Sequence, residues 1–426
     1  MKGNKKCMKL TDILVIGNGF DLWCKLRSRY TDFAKERRSG FDSFYNSLDS
    51  FLKQINEAKP GALTKEFFKN NIKLVIKEYI SELNFWEIFF EIANFKRSDD
   101  ILWLNIEQDI HTFMESKSVN SSSYGRLQQI FKSGVDLDSI PSTVIGLQTT
   151  IDYLLFFIMM EQKVLDYTSQ SDDIKDSINI LSEVLKHNEF GKLARYLLNE
   201  LNRFEKTFCI FLQNQVRSNA RYNDNASNLV NIVTNELSSN LSNSAFREVY
   251  YMNFNYTLPS VKQFSKNGTN VHGYIGDDCD EKIGEIIIGI DHEQFEANSP
   301  VYAFTKTYRK LFLRQKLISQ PLPPREVVKR IIFFGHSYGK ADYSYFRSVF
   351  DYYDIEKSDV QLIFNYCVYN EQSRDEICHN QYKSVSNLLN DYSKNANTQA
   401  GKNLTHRLLL EHRLTIREIE NNSHLD

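Results

Sequence analysis

The most constraining feature of this chain is a strand signal near its start that is far from the next strand signal. Residues 12–16 form a short apolar run, which is followed by Gly17-Asn18-Gly19 and by a helical pattern over residues 20–38. A buried strand, a glycine turn and a helix form the opening of a nucleotide-binding α/β unit. The next strand-like run begins near residue 248. Because ordinary connections are only a few residues long, this gap predicts an inserted domain.

The inserted residues, 39–246, have a helical pattern. Apolar residues recur at alternating steps of four and three at Leu197, Leu201, Phe204, Phe208 and Phe211. This spacing predicts an amphipathic helix with one buried stripe. Two carboxylates, Glu107 and Glu205, interrupt such stripes. Since a carboxylate on an apolar face needs a partner, we expect each to form an ion pair between helices or to serve a pocket.

Short apolar runs return after the insertion, at residues 249–252, 270–272, 286–290, 331–334 and 360–366. Runs that are apolar on both faces are typical of parallel sheets covered by helices. We therefore predict an α/β fold with a Rossmann-like, largely parallel sheet flanked by helices and a large all-helical insertion after the first βα unit. The predicted domains are 1–38 with 247–426, and 39–246. Residues 384–402 are predicted as a polar connector, and residues 404–419 as a terminal helix or a strand–helix pair.

The composition argues against several classes of protein. With 42% apolar residues and a net charge of −2, the chain is globular and has no basic excess that demands nucleic acid. The six cysteines form no CxxC pair, so we expect free thiols in a reducing compartment and no metal site. No apolar run reaches the ~20 residues that span a bilayer, and no signal peptide is visible. We expect a cytoplasmic protein that makes no contact with membranes.

Polar residues and glycines follow several of the predicted strands. In open α/β sheets, ligands bind at the carboxyl ends of the strands, so this recurrence predicts a polar pocket lined by glycines. The candidate binding residues are Gly17, Asn18, Gly19, Phe20, Asn253, Gly289, Asp291, Gly335, His336, Ser337 and Asp342.

Each part of this predicted pocket has a chemical and a purely structural interpretation. Glycines between a strand and a helix let the backbone approach a phosphate, or they form a bare tight turn. Asn253 and Asn255 lie two positions apart at a strand end, where they point the same way or cap a turn. His272 is suited to act as a general base near neutral pH, or it is a surface histidine.

Residues 335–339 read Gly-His-Ser-Tyr-Gly, which has the form of the GxSxG nucleophile elbow. A serine hydrolase would use Ser337 as its nucleophile and His406 or His412 as its base. Such an enzyme needs further strands after the elbow, and only one clear strand follows here. We therefore favour a strand-end turn in which Ser337 and Asp342 bind a ribose or an adenine.

The order of these motifs resembles the AbiH family of bacterial phage-defence proteins. The opening signature of that family is similar to Gly17-Asn18-Gly19-Phe20-Asp21-Leu22 with Tyr30-Thr31-Asp32-Phe33 behind it. Its other motifs resemble Trp103 with Glu107, residues 253–257, His272-Gly273, Gly289-Ile290-Asp291, and Gly335-His336-Ser337 with Asp342. The resemblance spans most of residues 12–350. It implies abortive infection, in which the host cell limits phage replication by harming itself or its metabolism.

A weaker resemblance is to sirtuin-like domains, several of which are defence NAD hydrolases. The matching residues are Gly17, Gly19, Asn255, His272, Gly335 and Ser337. The resemblance implies a phosphate turn, an asparagine that holds the nicotinamide riboside end, a catalytic histidine and an adenosine-side loop, in that order. The chain departs from the pattern at Thr257, where an acidic residue is usual, and in its first turn. It also has no zinc-binding cysteine set, which argues against a deacylase.

These observations predict an enzyme that hydrolyses NAD⁺ at the nicotinamide–ribose bond and requires no other cofactor. His272 would be the general base, Asn255 would orient the ribose, and Asp21 or Asp291 would stabilise the developing oxocarbenium charge. The alternative is a non-catalytic nucleotide- or phage-sensing module that acts through protein partners, with the helical insertion as its recognition surface. Under either hypothesis, a phage-derived trigger or partner protein and a homo-oligomeric assembly are possible.

Overall fold

The structure is a computed structural model of the chain. It describes residues 10–57, 83–97, 103–115, 122–133, 151–152, 154–156, 158, 191–235, 248–261, 267–276, 284–293, 295–313, 321–368, 373–394 and 403–420.

The described residues contain strands and helices with the following bounds. The strands are β1 (Thr11–Ile16), β2 (Glu248–Asn253), β3 (Gly268–Asn270), β4 (Gly273–Tyr274), β5 (Glu285–Ile286), β6 (Val328–Phe334), β7 (Gln361–Cys367) and β8 (Leu414–Ile419). The helices are α1 (Asn18–Trp23), α2 (Tyr30–Gly40), α3 (Asp42–Glu57), α4 (Phe85–Arg97), α5 (Ile106–Met114), α6 (Ser123–Ser133), α7 (Gly191–Ser218), α8 (Tyr222–Asn235), α9 (Lys306–Leu313), α10 (Tyr343–Tyr352), α11 (Arg374–Lys394) and α12 (Leu404–Leu410). Short 3₁₀ helices cover Pro300–Phe304, Arg325–Val327 and Lys340–Asp342.

The chain divides into two compact units. The first, which we call the sheet unit, comprises Met1–Ser28, Cys209–Ile287 and Lys310–Asp426. The second, which we call the helical unit, comprises Arg29–Phe208 and Ile288–Arg309.

The sheet unit is built on six parallel strands in the order β3-β2-β1-β6-β7-β8. Numbered within this sheet alone, the order is 3-2-1-4-5-6, which is that of the doubly wound Rossmann fold. Every residue of β1 is buried, and its neighbours are β2 on one side and β6 on the other. The strand order reverses between β1 and β6, so the ligand crevice of such a fold lies beyond the carboxyl ends of these strands. The predicted fold class is confirmed.

Helices cover both faces of this sheet. Ile13 and Val15 of β1 pack in one apolar cluster with residues of α10, α11 and α12. Leu14 and Ile16 pack in a second cluster with residues of α1 and α8. Because successive strand residues point to opposite faces, this alternation places one strand between two helical layers. It also explains why β1 has a continuous apolar sequence rather than an alternating one.

Several sequence-based boundaries were wrong. The predicted strand over residues 286–290 is not part of the central sheet, because β5 covers only Glu285–Ile286 and pairs antiparallel with β4. The strand predicted at 270–272 ends earlier, at Asn270, so His272 lies beyond it. The helical pattern over residues 20–38 forms two helices, α1 and α2, because the chain turns at Lys25, where φ is +62°.

The carboxyl-terminal third also differs from its prediction. The described part of the predicted polar connector, residues 384–394, belongs to α11, while residues 395–402 lie outside the described part of the chain. The segment 404–419 is a helix followed by a strand, α12 and then β8. Two strands, β7 and β8, therefore follow residues 335–339, where only one clear strand was expected.

Described residues of the helical unit lie mostly in helices, and aromatic rings fill much of its core. Phe33, Trp103 and Phe204 contact one another with ring centroids 5.6–5.8 Å apart. Such contacts add to the stabilisation from apolar burial. This packing accounts for the high aromatic content of the helical segment.

Both carboxylates that interrupt apolar stripes have cationic partners in the helical unit. Glu107 accepts a hydrogen bond from Lys306 Nζ at 3.0 Å. Glu205 pairs with Arg309, whose Nη2 lies 2.6 Å from its Oε2, and it also accepts the backbone N–H of Ile288 at 2.6 Å. The ion-pair interpretation is therefore the correct one for both.

Two further expectations concern thiols and membranes. Cys24, Cys209, Cys367 and Cys378 are free thiols, as expected, while the remaining two cysteines lie outside the described residues. Among the helices that the structure describes, none combines the length and the apolar character that crossing a bilayer requires.

Candidate functional site

The turns that follow β1 and β6 pack directly against each other at the point where the strand order reverses. Gly17 donates its N–H to Phe334 O at 3.1 Å, and Gly19 donates its N–H to Gly335 O at 2.7 Å. A Cβ on Gly19 would lie 2.6 Å from Gly335 Cα, and a Cβ on Gly17 would lie 2.6 Å from His336 Cα. Gly335 has φ of +71°, a conformation that favours glycine. The two glycine turns therefore interlock.

This contact gives the glycines a packing role that is independent of any ligand. The N–H groups of Gly17 and Gly19 bond to the turn after β6, and Phe20 donates its N–H to Gly17 O at 2.8 Å while its ring lies in the core. Asn18 is exposed, and its Oδ1 accepts the Ser28 hydroxyl at 2.6 Å. The phosphate-binding role of this turn stays a prediction.

Asp21 is a buried carboxylate at the start of α1. Its Oδ1 accepts the Tyr222 hydroxyl at 2.8 Å, and its Oδ2 accepts the Thr257 hydroxyl at 2.5 Å. Burial raises the pKa of Asp21 from 3.8 to about 6, against the lowering effects of Thr257, Tyr222 and Asn255. Asp21 thereby ties α1 to α8 and to the turn that follows β2.

Asn253 shapes that turn. Its Nδ2 donates to Thr257 O at 2.8 Å and to Asn270 Oδ1 at 2.9 Å, across the register of β2 and β3. Its Oδ1 accepts the N–H of Asn255 at 2.9 Å. The carboxamide of Asn253 is therefore engaged within the protein, which is the turn-capping alternative considered for it.

Asn255 and Asn270 differ from Asn253, because both carry a buried amide nitrogen that has no hydrogen-bond partner among the described residues. Asn255 is only 5% exposed. Its carboxamide lies close enough to Asp21 to lower the pKa of that residue, yet its Nδ2 forms no hydrogen bond of good geometry with the described residues. A buried donor left unpaired costs about 1–3 kcal/mol, so these nitrogens are candidates for contact with a ligand oxygen.

His272, His336 and Asp342 form one hydrogen-bonded group. The Asp342 carboxylate accepts a hydrogen bond from each histidine. His272 Nε2 lies 2.9 Å from its Oδ1, and His336 Nε2 lies 3.2 Å from its Oδ2. Since a carboxylate accepts hydrogen bonds, both imidazoles carry a proton on Nε2. The backbone supports this tautomer for His336, whose Nδ1 accepts the N–H of Tyr338 at 2.8 Å. In His272 the same tautomer leaves a lone pair on Nδ1, as a general base requires.

Aromatic rings enclose both histidines. The Phe254 ring lies 5.4 Å from His272 and 4.7 Å from His336, measured between centroids. Tyr345 lies 5.5 Å from His272, and Phe346 lies 5.0 Å from His336. Because electrostatic interactions strengthen in such surroundings, the Asp342 carboxylate can hold both imidazoles in fixed orientations.

Sequence reasoning missed three side chains here. Tyr222 and Tyr345 lie on α8 and α10, and their sequence positions gave no sign of a contact with Asp21 or His272. Lys310 lies on α9, with its Nζ 5.3 Å from the centroid of the Tyr345 ring. Only proximity in space connects these residues to the predicted motifs.

Gly289 and Asp291 belong to the helical unit rather than to the sheet unit. A Cβ on Gly289 would lie 2.6 Å from Phe304 O, beside a bridge between Ile290 and Thr305. Asp291 caps its own turn, because its Oδ1 accepts the N–H of residue 293 at 3.1 Å. Their place at the edge of the central sheet was wrongly predicted, because the run before them is not a strand of that sheet.

Ser337 does not have the geometry of a nucleophile elbow. Its side chain is exposed, and no histidine among the described residues forms a hydrogen bond with it. Positive φ occurs at Gly335 and Tyr338 but not at Ser337. His406 and His412 are exposed on and after α12. The serine-hydrolase alternative therefore has no geometric support, although a second strand does follow the turn.

No group of three or more His, Cys, Asp or Glu side chains in the described part of the chain is arranged to hold a metal ion. Among the described residues near the strand ends, the groups suited to chemistry include the oriented His272, the amides of Asn255 and Asn270, and the half-buried Lys310.

The fold and site define a doubly wound α/β protein with buried polar side chains at the reversal of its strand order. The family to which it belongs is shown by the family model described as Bacteriophage abortive infection AbiH, which matches residues 13–366: the chain is a member of the AbiH family. Neither the comparison with curated proteins nor that with solved structures gave a match. The likeness to sirtuin-like domains stays a prediction.

Proposed function

We propose that this protein acts in abortive infection by hydrolysing NAD⁺ at the bond between nicotinamide and ribose. The proposal is carried by two observations at the carboxyl edge of a Rossmann-ordered sheet. One is the Asp342–His272 pair, and the other is the unpaired amide of Asn255, the residue after Phe254, whose ring lies 5.4 Å from the His272 ring. Open sheets of this order bind nucleotides at that edge. Membership of the AbiH family supports the role in defence.

In this mechanism a water molecule attacks C1′ of the nicotinamide ribose. The C1′–N bond breaks, and its electron pair passes to the nicotinamide nitrogen, which neutralises the positive charge of the ring. The proton of the water passes to Nδ1 of His272, and the Asp342 carboxylate on Nε2 stabilises the imidazolium that forms. The products are nicotinamide, ADP-ribose and a proton.

The remaining buried groups would orient the substrate. The Asn255 amide donates to a ribose hydroxyl, which supplies the acceptor that this nitrogen lacks among the described residues. Asp21 acts through Thr257 rather than on the substrate, because it is buried and its two carboxylate oxygens accept the hydroxyls of Tyr222 and Thr257. Fixing water and ribose in one geometry supplies much of the rate acceleration of such reactions.

The decisive experiment compares wild type, His272→Ala and His272→Gln for loss of NAD⁺ and release of nicotinamide, in vitro and in phage-infected cells. His406→Ala is the matched control, because His406 is an exposed histidine of the same unit. We expect turnover by wild type and the control, and none by either His272 variant. Thermal unfolding shows whether each variant is folded.

Two results would contradict the proposal. If folded His272 variants still protect cells or still release nicotinamide, His272 is not the base. If wild type leaves NAD⁺ unchanged during infection, NAD⁺ cleavage is wrong. Loss of protection from changes in the helical unit alone would then favour the non-catalytic sensing module.

A further inference from the structure

A half-buried lysine beside the candidate site has no anionic partner in the part of the chain that the structure describes. Lys310 forms no ion pair and no hydrogen bond among the described residues. The contact that its ammonium makes there is a cation–π contact with the ring of Tyr345. Arg330, another buried cation of the sheet unit, is matched by Asp12, with Nε 2.9 Å from Oδ1. A cation removed from water without a matching anion is unfavourable, so Lys310 differs from the usual pattern.

The electrostatic surroundings of Lys310 lead to the same conclusion. Burial alone lowers the pKa of its ammonium, and no carboxylate of the described residues raises it again. Lys96, an exposed lysine, differs in this respect, because the nearby Asp152 carboxylate partly offsets the effect of burial on its pKa. The charge of Lys310 is therefore uncompensated within the sheet unit as described.

Tyr345 connects this charge to the candidate catalytic histidine. Its ring lies 5.3 Å from Lys310 Nζ and 5.5 Å from the His272 ring centroid. The same ring contacts Phe254, next to Asn255 in the chain. A ligand that reaches His272 and Asn255 would therefore have the ammonium within its neighbourhood.

We propose that Lys310 binds a phosphate group of the ligand, so that the site selects phosphorylated nucleotides over nucleosides. The proposal rests on the proposed function only in that a nucleotide occupies the site. A lysine ammonium is a compact point charge that binds phosphate well, and a phosphate would compensate the charge that no described carboxylate matches. A neutral nucleoside would leave the ammonium uncompensated.

The test measures binding by titration calorimetry to the full-length wild type, Lys310→Met and Lys310→Arg. The probes are ADP-ribose, inorganic pyrophosphate and adenosine. Lys340→Met is the matched control, because Lys340 is an exposed lysine of the same unit. We expect Lys310→Met to weaken the binding of ADP-ribose and pyrophosphate by about 10- to 100-fold, as for loss of one charge-assisted hydrogen bond. The affinity for adenosine should stay unchanged. Lys310→Arg should restore most of the affinity.

The outcomes separate this proposal from the proposed reaction. The phosphate role is overturned if Lys310→Met binds all three probes as the wild type does. It is also overturned if the variant loses affinity for all three probes equally. Turnover of NAD⁺ with an unchanged KM in Lys310→Met overturns it as well and leaves the reaction intact. The wild type could also fail to cleave NAD⁺ while Lys310→Met selectively loses pyrophosphate binding. That result would support the phosphate role of Lys310 and contradict the proposed reaction.

Discussion

Replacing Asp21 with asparagine should change how the stability of the protein depends on pH. Asp21 is 1% exposed, and burial raises its pKa from 3.8 to about 6 despite the hydrogen bonds from Thr257 and Tyr222. A group whose folded pKa exceeds its unfolded value contributes stability that is fully present below the unfolded pKa. That stability is lost as pH rises through the folded pKa. The ionised carboxylate therefore lowers the free energy of unfolding at neutral pH.

The size of this effect follows from the two pKa values. One pKa unit corresponds to about 1.36 kcal/mol, so the whole shift represents about 3 kcal/mol. Between about pH 4.5 and about pH 7.5 the wild type should lose roughly 2 kcal/mol of this. Asparagine has the same shape and does not titrate. The free energy of unfolding of Asp21→Asn, relative to wild type, should therefore rise by about 2 kcal/mol over that range.

Urea unfolding at a series of pH values measures this difference. Asp359→Asn is a suitable control, because Asp359 is an exposed carboxylate whose pKa is lowered by its hydrogen bond with Lys329. Its effect has the opposite sign, and solvent screening keeps it small. A difference between Asp21→Asn and wild type that stays constant with pH would refute the reasoning. So would one that falls as pH rises.

Other substitutions test the interlocked turns and the pocket. Gly335→Ala should lower the free energy of unfolding by about 3 kcal/mol or more, since φ is +71° and its Cβ would lie 2.4 Å from Phe20 N. Gly40→Ala, which meets nothing within 4 Å, should change it by less than ~1 kcal/mol in the same assay. Ser337→Ala should stay within ~0.5 kcal/mol of wild type, because the side chain is exposed, and it should keep its kcat for NAD⁺ even if the predicted ribose or adenine contact raises KM; loss of kcat would restore the hydrolase alternative. Asp342→Asn should reduce kcat for NAD⁺ about 100-fold or more without unfolding the protein, and undiminished turnover would show that histidine orientation is unimportant.

The central strands could be predicted because the fold buries both of their faces. The sequences of β1, β2, β6 and β7 are continuous apolar runs, and each was located within a few residues. β8 lies at the sheet edge, and half-buried and exposed residues precede its one buried residue, so no such run exists. The apolar run at residues 286–290 was wrongly predicted as a strand of the central sheet. Burial makes a sequence apolar, but apolar character does not say which strand, if any, will pair with it.

Much of the candidate site could be grouped from the sequence for a similar reason, and part of it could not. In a parallel sheet the strand ends meet at one edge, so the sequence alone was enough to group the residues after β2, β3 and β6. The contact of His272 with Asp342 follows from that grouping. Lys310 and Tyr345 come from helices, whose arrangement against the sheet depends on packing over the whole unit. No local pattern marks a helical residue as a neighbour of a strand end.

Three residues of the most specific family signature, Gly17, Gly19 and Asp21, have architectural roles. Gly17 and Gly19 permit the contact with the turn after β6, and Asp21 holds Thr257 and Tyr222. Within the motifs, a buried amide without a hydrogen bond among the described residues occurs instead in a less specific one, at Asn255. Substitutions in the opening signature should therefore act first on stability, and substitutions near Asn255 should act on ligand binding while the protein stays folded. If the opposite pattern appeared, the signature would be the ligand site and the interlocked turns would be secondary to it.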